Sequence, residues 1–256
     1  MKKVIFITLG VIVAVLGAGF IYIQSIYLDM KKHVQLSKGQ EERIVLVNLA
    51  NDRASIARQI KTIKNFDPAC IALVALFPRL KEAESDSLLK VSISASGILL
   101  QTKHQRIGYY GTHKDIMQSA DDYGYLEPIT EDEFIHSFYL YRLMNEKQDF
   151  NLAYKIAEIY DIEKAESYKN RNISQPQLFK VTKLTTDFKK FNSELEGMTM
   201  PDIEGKIVLI GYLGPSIEDK YQTYARFYYD ETIIGPDMYS TEILANQVLM
   251  IMDGVE

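Results

Sequence analysis

Cysteine occurs once in the 256 residues, at Cys70. A single thiol excludes an internal disulfide, so the fold is held by its core, and cysteine usage says nothing about redox compartment. Cys70 lies in the apolar run ACIALVALF and reads as a small buried hydrophobe, not a reactive thiol. Histidine is nearly as scarce. His33, His104, His113 and His136 are scattered, with no pair at the i, i+4 spacing of a helical zinc site. His104 and His113 could meet only across a hairpin. Basic clusters are also missing. Beyond short pairs such as Lys31-Lys32 and Lys189-Lys190 the chain is mildly acidic, with a net charge of −5. A surface that tracks phosphates needs clustered Lys and Arg, so no nucleic-acid partner is expected.

Catalytic motifs are absent too. The turn Gly211-Tyr212-Leu213-Gly214 lacks the three-glycine spacing of a dinucleotide fingerprint. Lys206 precedes a strand instead of opening a helix, so this is no phosphate loop either. Ser92, Ser94 and Ser96 before Gly97 lack the strained elbow of a hydrolase nucleophile. The acids at 121–122 and 131–133 do not follow a calcium-loop spacing and read as solvated acids and helix caps. No nucleophile–base pair is visible, which leaves a periplasmic hydrolase as a remote alternative. Neither a cofactor nor a metal is expected. No repeat, low-complexity tract or linker splits the chain.

The longest hydrophobic run stands at the start. Residues 4–23 carry no charge, and apolar character continues to residue 28. About 20 apolar residues match the hydrocarbon thickness of a bilayer, so residues 1–28 read as a transmembrane signal anchor. Lys2 and Lys3 favour a cytoplasmic N-terminus. A cleaved signal peptide, with a weak site around Val15, Gly17 and Ala18, is the rival reading. Both put the bulk of the chain outside the cytoplasm. Residues 29–42 form a polar juxtamembrane spacer.

Residues 43–256 read as an α/β domain, a three-layer sandwich around a mainly parallel sheet. RIVLVNL at 43–49 is a continuous β-branched run, as in a strand covered on both faces. Asn51 or Asp52 can cap a helix with Ile56, Ala57, Ile60 and Ile63 on one side, stopped at Asp67-Pro68. Residues 69–77 form a second buried strand, close to the shortest crossover that allows parallel pairing. A helix follows at 81–94 with Leu88 and Leu89 inward, then a strand at 97–102. Residues 103–133 are rich in loops. Helical patterns cover 133–145 and 151–160, a strand fits 177–184, another 206–211, and a final helix 236–253. In that last helix Asn246 must bond nearby backbone, since an unpaired buried amide costs a few kcal/mol. Tyr109, Tyr110, Tyr123, Tyr125, Tyr221, Tyr224, Tyr228 and Tyr229 are either loop packing or a recognition surface.

Two stretches carry a resemblance. IVLVNLANDRASIARQIKTIKNFDPACIAL resembles the opening of the second class of CHASE domains, sensory extracellular domains associated with bacterial cyclases and histidine kinases, in a version typical of Bacteroidetes. GKIVLIGYLG, then Glu218-Asp219, Thr223 and PDMYSTEILAN, resembles the closing segment. The similarity spans residues 30–253. Several positions depart from the family pattern. Asn48, Ala50 and Val74 stand where acids are usual, Leu244 replaces a histidine, Ser240 a glycine, and Thr223-Tyr224-Ala225 a Thr-Pro-Leu. The resemblance implies that further membrane helices and a cytoplasmic output domain follow; the sequence read here reaches Glu256, as a stand-alone version or a fragment would.

Ligands of open parallel sheets bind beyond the carboxyl ends of the strands. That rule selects Asn48, Asn51, Asp52 and Arg53 after the first strand, and Tyr212, Gly214, Glu218 and Asp219 after the late one. An arginine among carboxylates and tyrosines suits a small polar or zwitterionic molecule. The bland reading makes Asp52 a helix cap and Arg53 a solvated first-turn residue. The resemblance implies a sensory or ligand-recognition domain of a bacterial inner-membrane receptor, with no catalysis of its own. It would face the periplasm and bind a small molecule or an envelope protein, with a homodimer possible. The alternative is a membrane-tethered protein-interaction module with a degenerate ligand site.

Overall fold

The computed structural model describes residues 40–94, 97–102, 111–127, 129–131, 134–144, 147–171, 177–178, 185, 187–215, 220–221 and 238–254. The apolar run at 4–28 expected to anchor the chain, nearly all of the expected spacer, and Glu218, Asp219, Thr223 and His104 lie outside them. Among the described residues no helix is long and apolar enough to cross a membrane.

The chain runs β1 (Glu41–Asn48), α1 (Arg53–Lys64), β2 (Cys70–Val74), α2 (Ala83–Ile93), β3 (Ile98–Thr102), α3 (Lys114–Met117) and β4 (Asp122–Tyr125). A small β region follows: β5 (Ile129–Glu131), β6 (Phe134–Phe138), β7 (Tyr141–Met144) and β8 (Lys147–Phe150). Then come α4 (Leu152–Tyr160), α5 (Ile162–Arg171), β9 (Gln177–Leu178), β10 (Phe188–Phe191), α6 (Met200–Ile203) and β11 (Ile207–Gly211). The last elements are β12 (Lys220–Tyr221), β13 (Met238–Tyr239) and α7 (Ser240–Asp253).

Six strands form one sheet in the order β10-β1-β11-β2-β3-β4, and every pairing is parallel. The opening and closing runs are neighbours: Ile44 pairs with Ile207, and Ile207 with Cys70. Side chains alternate between two cores. Ile44, Leu46, Cys70, Ala72, Leu99, Ile207 and Leu209 face α4, α5 and α7. Val45, Val47, Ile71, Leu73, Leu100, Val208 and Ile210 face Ile56, Ile60 and Ile63 of α1 and Leu89 and Ile93 of α2. This period of two, with both phases apolar, is why the strands read as unbroken hydrophobic runs. The crossovers β1 to β2 and β10 to β11 move in one direction and share a face, whereas β4 to β10 returns along the other. A single crossover handedness requires that division.

The mixed α/β class and mainly parallel sheet match the expectation, and helices cover both faces. Some elements differ. Within the stretch 133–145, expected to be helical, Phe134–Phe138 and Tyr141–Met144 are strands β6 and β7. Ile135 and Phe138 mimic a helical i, i+3 pair, but the stretch is rich in aromatic residues and finds partners in β5, β9 and β8. The second helix begins two residues later than expected. Its phase is set by Asp86, Leu89 and Ile93, which turns Leu88 outward, 48% exposed. Met238-Tyr239 pairs with β12, so the closing helix starts at Ser240 and not at 236. β10 was unforeseen; it is an edge strand whose Lys189 and Lys190 suit that position. Of the strand expected at 177–184, Gln177–Leu178 pairs with β6 outside the main sheet.

Candidate functional site

All six strands point the same way, so the domain has two distinct poles. The carboxyl pole ends in the row Asn48–Gly211–Val74. Loops after β1, β10 and β11 meet there. At the opposite pole the chain enters β1 and leaves α7, which runs back across the sheet.

Asn48 and Tyr212 meet at the carboxyl pole. The Leu213 amide donates to Asn48 Oδ1 at 2.9 Å, and the Leu49 amide to the Gly211 carbonyl at 2.9 Å. Asn48 therefore closes the turn after β11 with a neutral amide. Tyr212 lies edge-on to Tyr239, ring centroids 6.2 Å apart, and the Tyr239 hydroxyl donates to the Gly214 carbonyl. Lys220 Nζ sits 4.6 Å from the Tyr239 ring centre. Gly211 has no side chain because Thr241 fills that space: a methyl there would collide with the Thr241 hydroxyl and meet Val74 Cβ at 2.9 Å.

Asp52 caps α1. Its carboxylate accepts from the Ser55 amide at 2.9 Å and the Ser55 hydroxyl at 2.7 Å. These bonds hold its pKa below the ordinary carboxylate value. Arg53 is neither a solvated residue nor near Asp52's open side. It is 5% exposed, and its guanidinium pairs with Asp86 and donates to the Arg79 carbonyl. The Lys81 amide donates to the second Asp86 oxygen at 2.8 Å. Burial lowers the Arg53 pKa. The pair ties α1 to α2 and, through the Arg79 carbonyl and Lys81 amide, to the loop before it, a structural task.

A groove of about 380 Å³ opens beside Asp52. It is lined by Ala50, Asn51, Asp52, Ser55, Arg58 and Gln59 on one side, with Thr62 further along α1, and by Ser193, Glu194 and Leu195 after β10. Gln59 holds its two walls together. Its Oε1 accepts from the Ala50 amide at 3.1 Å, and its Nε2 donates to the carbonyls of Asn48 at 2.9 Å and Ser193 at 2.8 Å. Gln59 was missed from sequence, although a buried amide on the inward stripe with Ile56, Ile60 and Ile63 is a readable signal.

Two further clusters were missed. Glu242, in the first turn of α7, is 4% exposed; it accepts from Lys190 Nζ at 2.6 Å and from the Tyr239 amide at 2.9 Å. At the other end of α7, Arg43 of β1 donates to Asp253 at 2.6 Å and to Glu41 at 2.9 Å. The hydrogen bonds to both carboxylates raise the Arg43 pKa above its ordinary value. Cys70 is 1% exposed, and burial pushes its pKa up to about 12, which suits a core residue. His113 caps α3, and among the described residues no group of His, Cys, Asp and Glu could hold a metal ion.

A sequence model of the CHASE2 domain family matches residues 28–256. The chain belongs to the CHASE2 family. No curated protein and no solved structure matches it significantly. CHASE2 domains are extracellular sensory domains found in receptors. In this CHASE2 domain Asn48, at a position where the resemblance led us to look for an acid, serves the backbone of the β11 turn. Ala50 and Val74 are buried.

Proposed function

We propose that this chain is the extracytoplasmic sensory domain of a bacterial inner-membrane receptor and has no catalysis of its own. Residues 4–28 anchor it, the N-terminus stays in the cytoplasm and the α/β domain faces the periplasm. The observation that carries this reading is membership of a sensory domain family over residues 28–256, joined to the uncharged run at 4–23. Further support comes from the placement of the two chain ends. The start of β1 and the end of α7 meet at one pole through Arg43 and Asp253, 2.6 Å apart. The recognition loops gather at the other pole. A ligand that binds two arrangements of the domain unequally then changes how the anchor and α7 lie relative to one another.

Reporter fusions after Glu256 test the topology. An active alkaline phosphatase and a dark green fluorescent protein are expected; a fluorescent fusion with inactive phosphatase would refute a periplasmic domain. The second reading, a tethered interaction module with a degenerate ligand site, draws on Asn48, Ala50 and Val74 in place of acids. It requires a stable envelope partner in pull-downs from membranes and no response to small molecules.

A further inference from the structure

The groove between α1 and the turn after β10 holds charges of both signs that form no close ion pair among the described residues. Arg58 Nη2 donates to the Ser55 hydroxyl at 2.9 Å, yet among the described residues no carboxylate comes within ion-pair distance of it. Glu194 accepts from the Ser193 hydroxyl at 2.7 Å and has no cation among the described residues within that distance. Asp52 accepts from Ser55 and feels the charge of Arg58, which stays beyond ion-pair distance. Asn51 adds an amide that no other described group engages. Several other charged groups are paired: Arg43 with Asp253, Lys190 with Glu242, Lys155 with Asp122, and Lys169 with Glu166.

Both walls are pre-set. Buried Gln59 fixes the backbone of Asn48 and Ala50 on one side and Ser193 on the other. A site whose walls are held by buried hydrogen bonds loses little ordering entropy on binding. The volume of about 380 Å³ lies at the low end of small-molecule sites, which run from about 300 to 1,000 Å³. The groove is polar, so it suits a small hydrophilic solute and not an apolar one.

We propose that this groove binds a free amino acid or a similar small zwitterion, with the ammonium held by Asp52 and Glu194 and the carboxylate by Arg58. The proposal rests on the receptor reading above and names the ligand class of that receptor. A guanidinium matches a carboxylate with two parallel N–H donors, and an ammonium finds acceptors in two carboxylates and the Asn51 amide oxygen. A ligand with one charge satisfies only half of the groove. Arg58 thus takes the part that sequence reading gave to Arg53, five residues earlier.

The test is calorimetric titration of the full chain in nanodiscs with each of the twenty standard amino acids at millimolar concentration. Glycolate and ethanolamine serve as single-charge probes. At least one amino acid is expected to bind, and both probes to bind at least tenfold more weakly. Arg58→Gln and Glu194→Gln should each weaken that amino acid about tenfold or more. Asp52→Asn keeps a capping side chain and should do the same without loss of thermal stability. No binding by any of the twenty, or binding unchanged in Arg58→Gln, overturns the proposal. Label-to-label distances between positions 42 and 253 separate the two ideas. Amino-acid binding with no change in that distance leaves the site standing and counts against the receptor. A change driven by envelope extract, with no amino acid binding, does the reverse.

Discussion

Asn246 offers the sharpest test of the packing. It is 1% exposed in the middle of α7. Its Oδ1 accepts from the Thr185 amide at 2.8 Å, and its Nδ2 donates to the Thr185 carbonyl at 3.0 Å and the Glu242 carbonyl at 2.8 Å. Asn246→Leu strands the amide and carbonyl of Thr185 in the core, while the Glu242 carbonyl keeps its helical partner. Two buried groups left unpaired cost about 2–6 kcal/mol. The larger apolar side chain returns about 1 kcal/mol. The net loss is about 1–5 kcal/mol, and Tm falls by roughly 2–20 °C for a domain of this size. Urea unfolding measures the free energy, and hydrogen exchange at Thr185 locates it. Asn246→Asp should be worse at neutral pH, because a carboxylate then faces two carbonyl oxygens; acid should relieve part of that difference. A loss under about 1 kcal/mol for Asn246→Leu would mean that Thr185 is not tied to α7, and the reasoning fails.

Three shorter predictions follow from other contacts. Arg53→Met should cost about 3–5 kcal/mol by leaving Asp86 buried without its cation, while Arg53→Met with Asp86→Leu should recover most of it, as read by urea unfolding. Gly211→Ala should lower stability by about 1–3 kcal/mol through collision with Thr241, and Thr241→Ala should restore part of that loss. Lys189, with help from Thr199, lowers the Asp202 pKa to about 2. Its stabilisation is fully present above the unfolded value near 3.8 and is lost as pH falls through about 2, so Asp202→Asn should flatten the Tm profile between about pH 4 and pH 2.

The central sheet was legible because its signal is local. β1, β2 and β11 are apolar in both side-chain phases, and that pattern survives without knowing the partners. The same holds for the Asp52 cap and for the backbone bonds of Asn246. What was hidden depends on pairing at a distance. β10 reads as FKKF, too short and charged to declare itself, and becomes a strand only beside β1. Residues 134–144 carry a helical apolar spacing that loses to partners in β5, β8 and β9. Arg53 was placed at the right pole but on the wrong partner, since Asp86 lies 33 residues away in sequence. Arg58 and Gln59 went unread because one looks like a solvated helix residue and the other interrupts an apolar stripe.

A sensory domain needs an element with two arrangements, and the interior of the sheet does not supply it. Its central strands β2 and β11 are buried throughout, and packed cores resist graded deformation. The softer parts lie at the two poles. α7 is 14 residues long, about 21 Å, and joins them: Glu242 and Tyr239 sit at the carboxyl pole, and Asp253 at the other. Asp253 places a negative charge in the last turn of a helix, where the dipole disfavours it, and no basic residue of α7 offsets it. Arg43 supplies the missing cation from β1. That contact is half exposed, at 32% for Arg43 and 28% for Asp253, so it is worth only about 1 kcal/mol or less. A coupling that weak opens for a modest difference in ligand affinity, of the order of five- to tenfold. Raised salt should loosen it further, which makes exchange at the last turn of α7 in high salt the direct measure of how readily this contact opens.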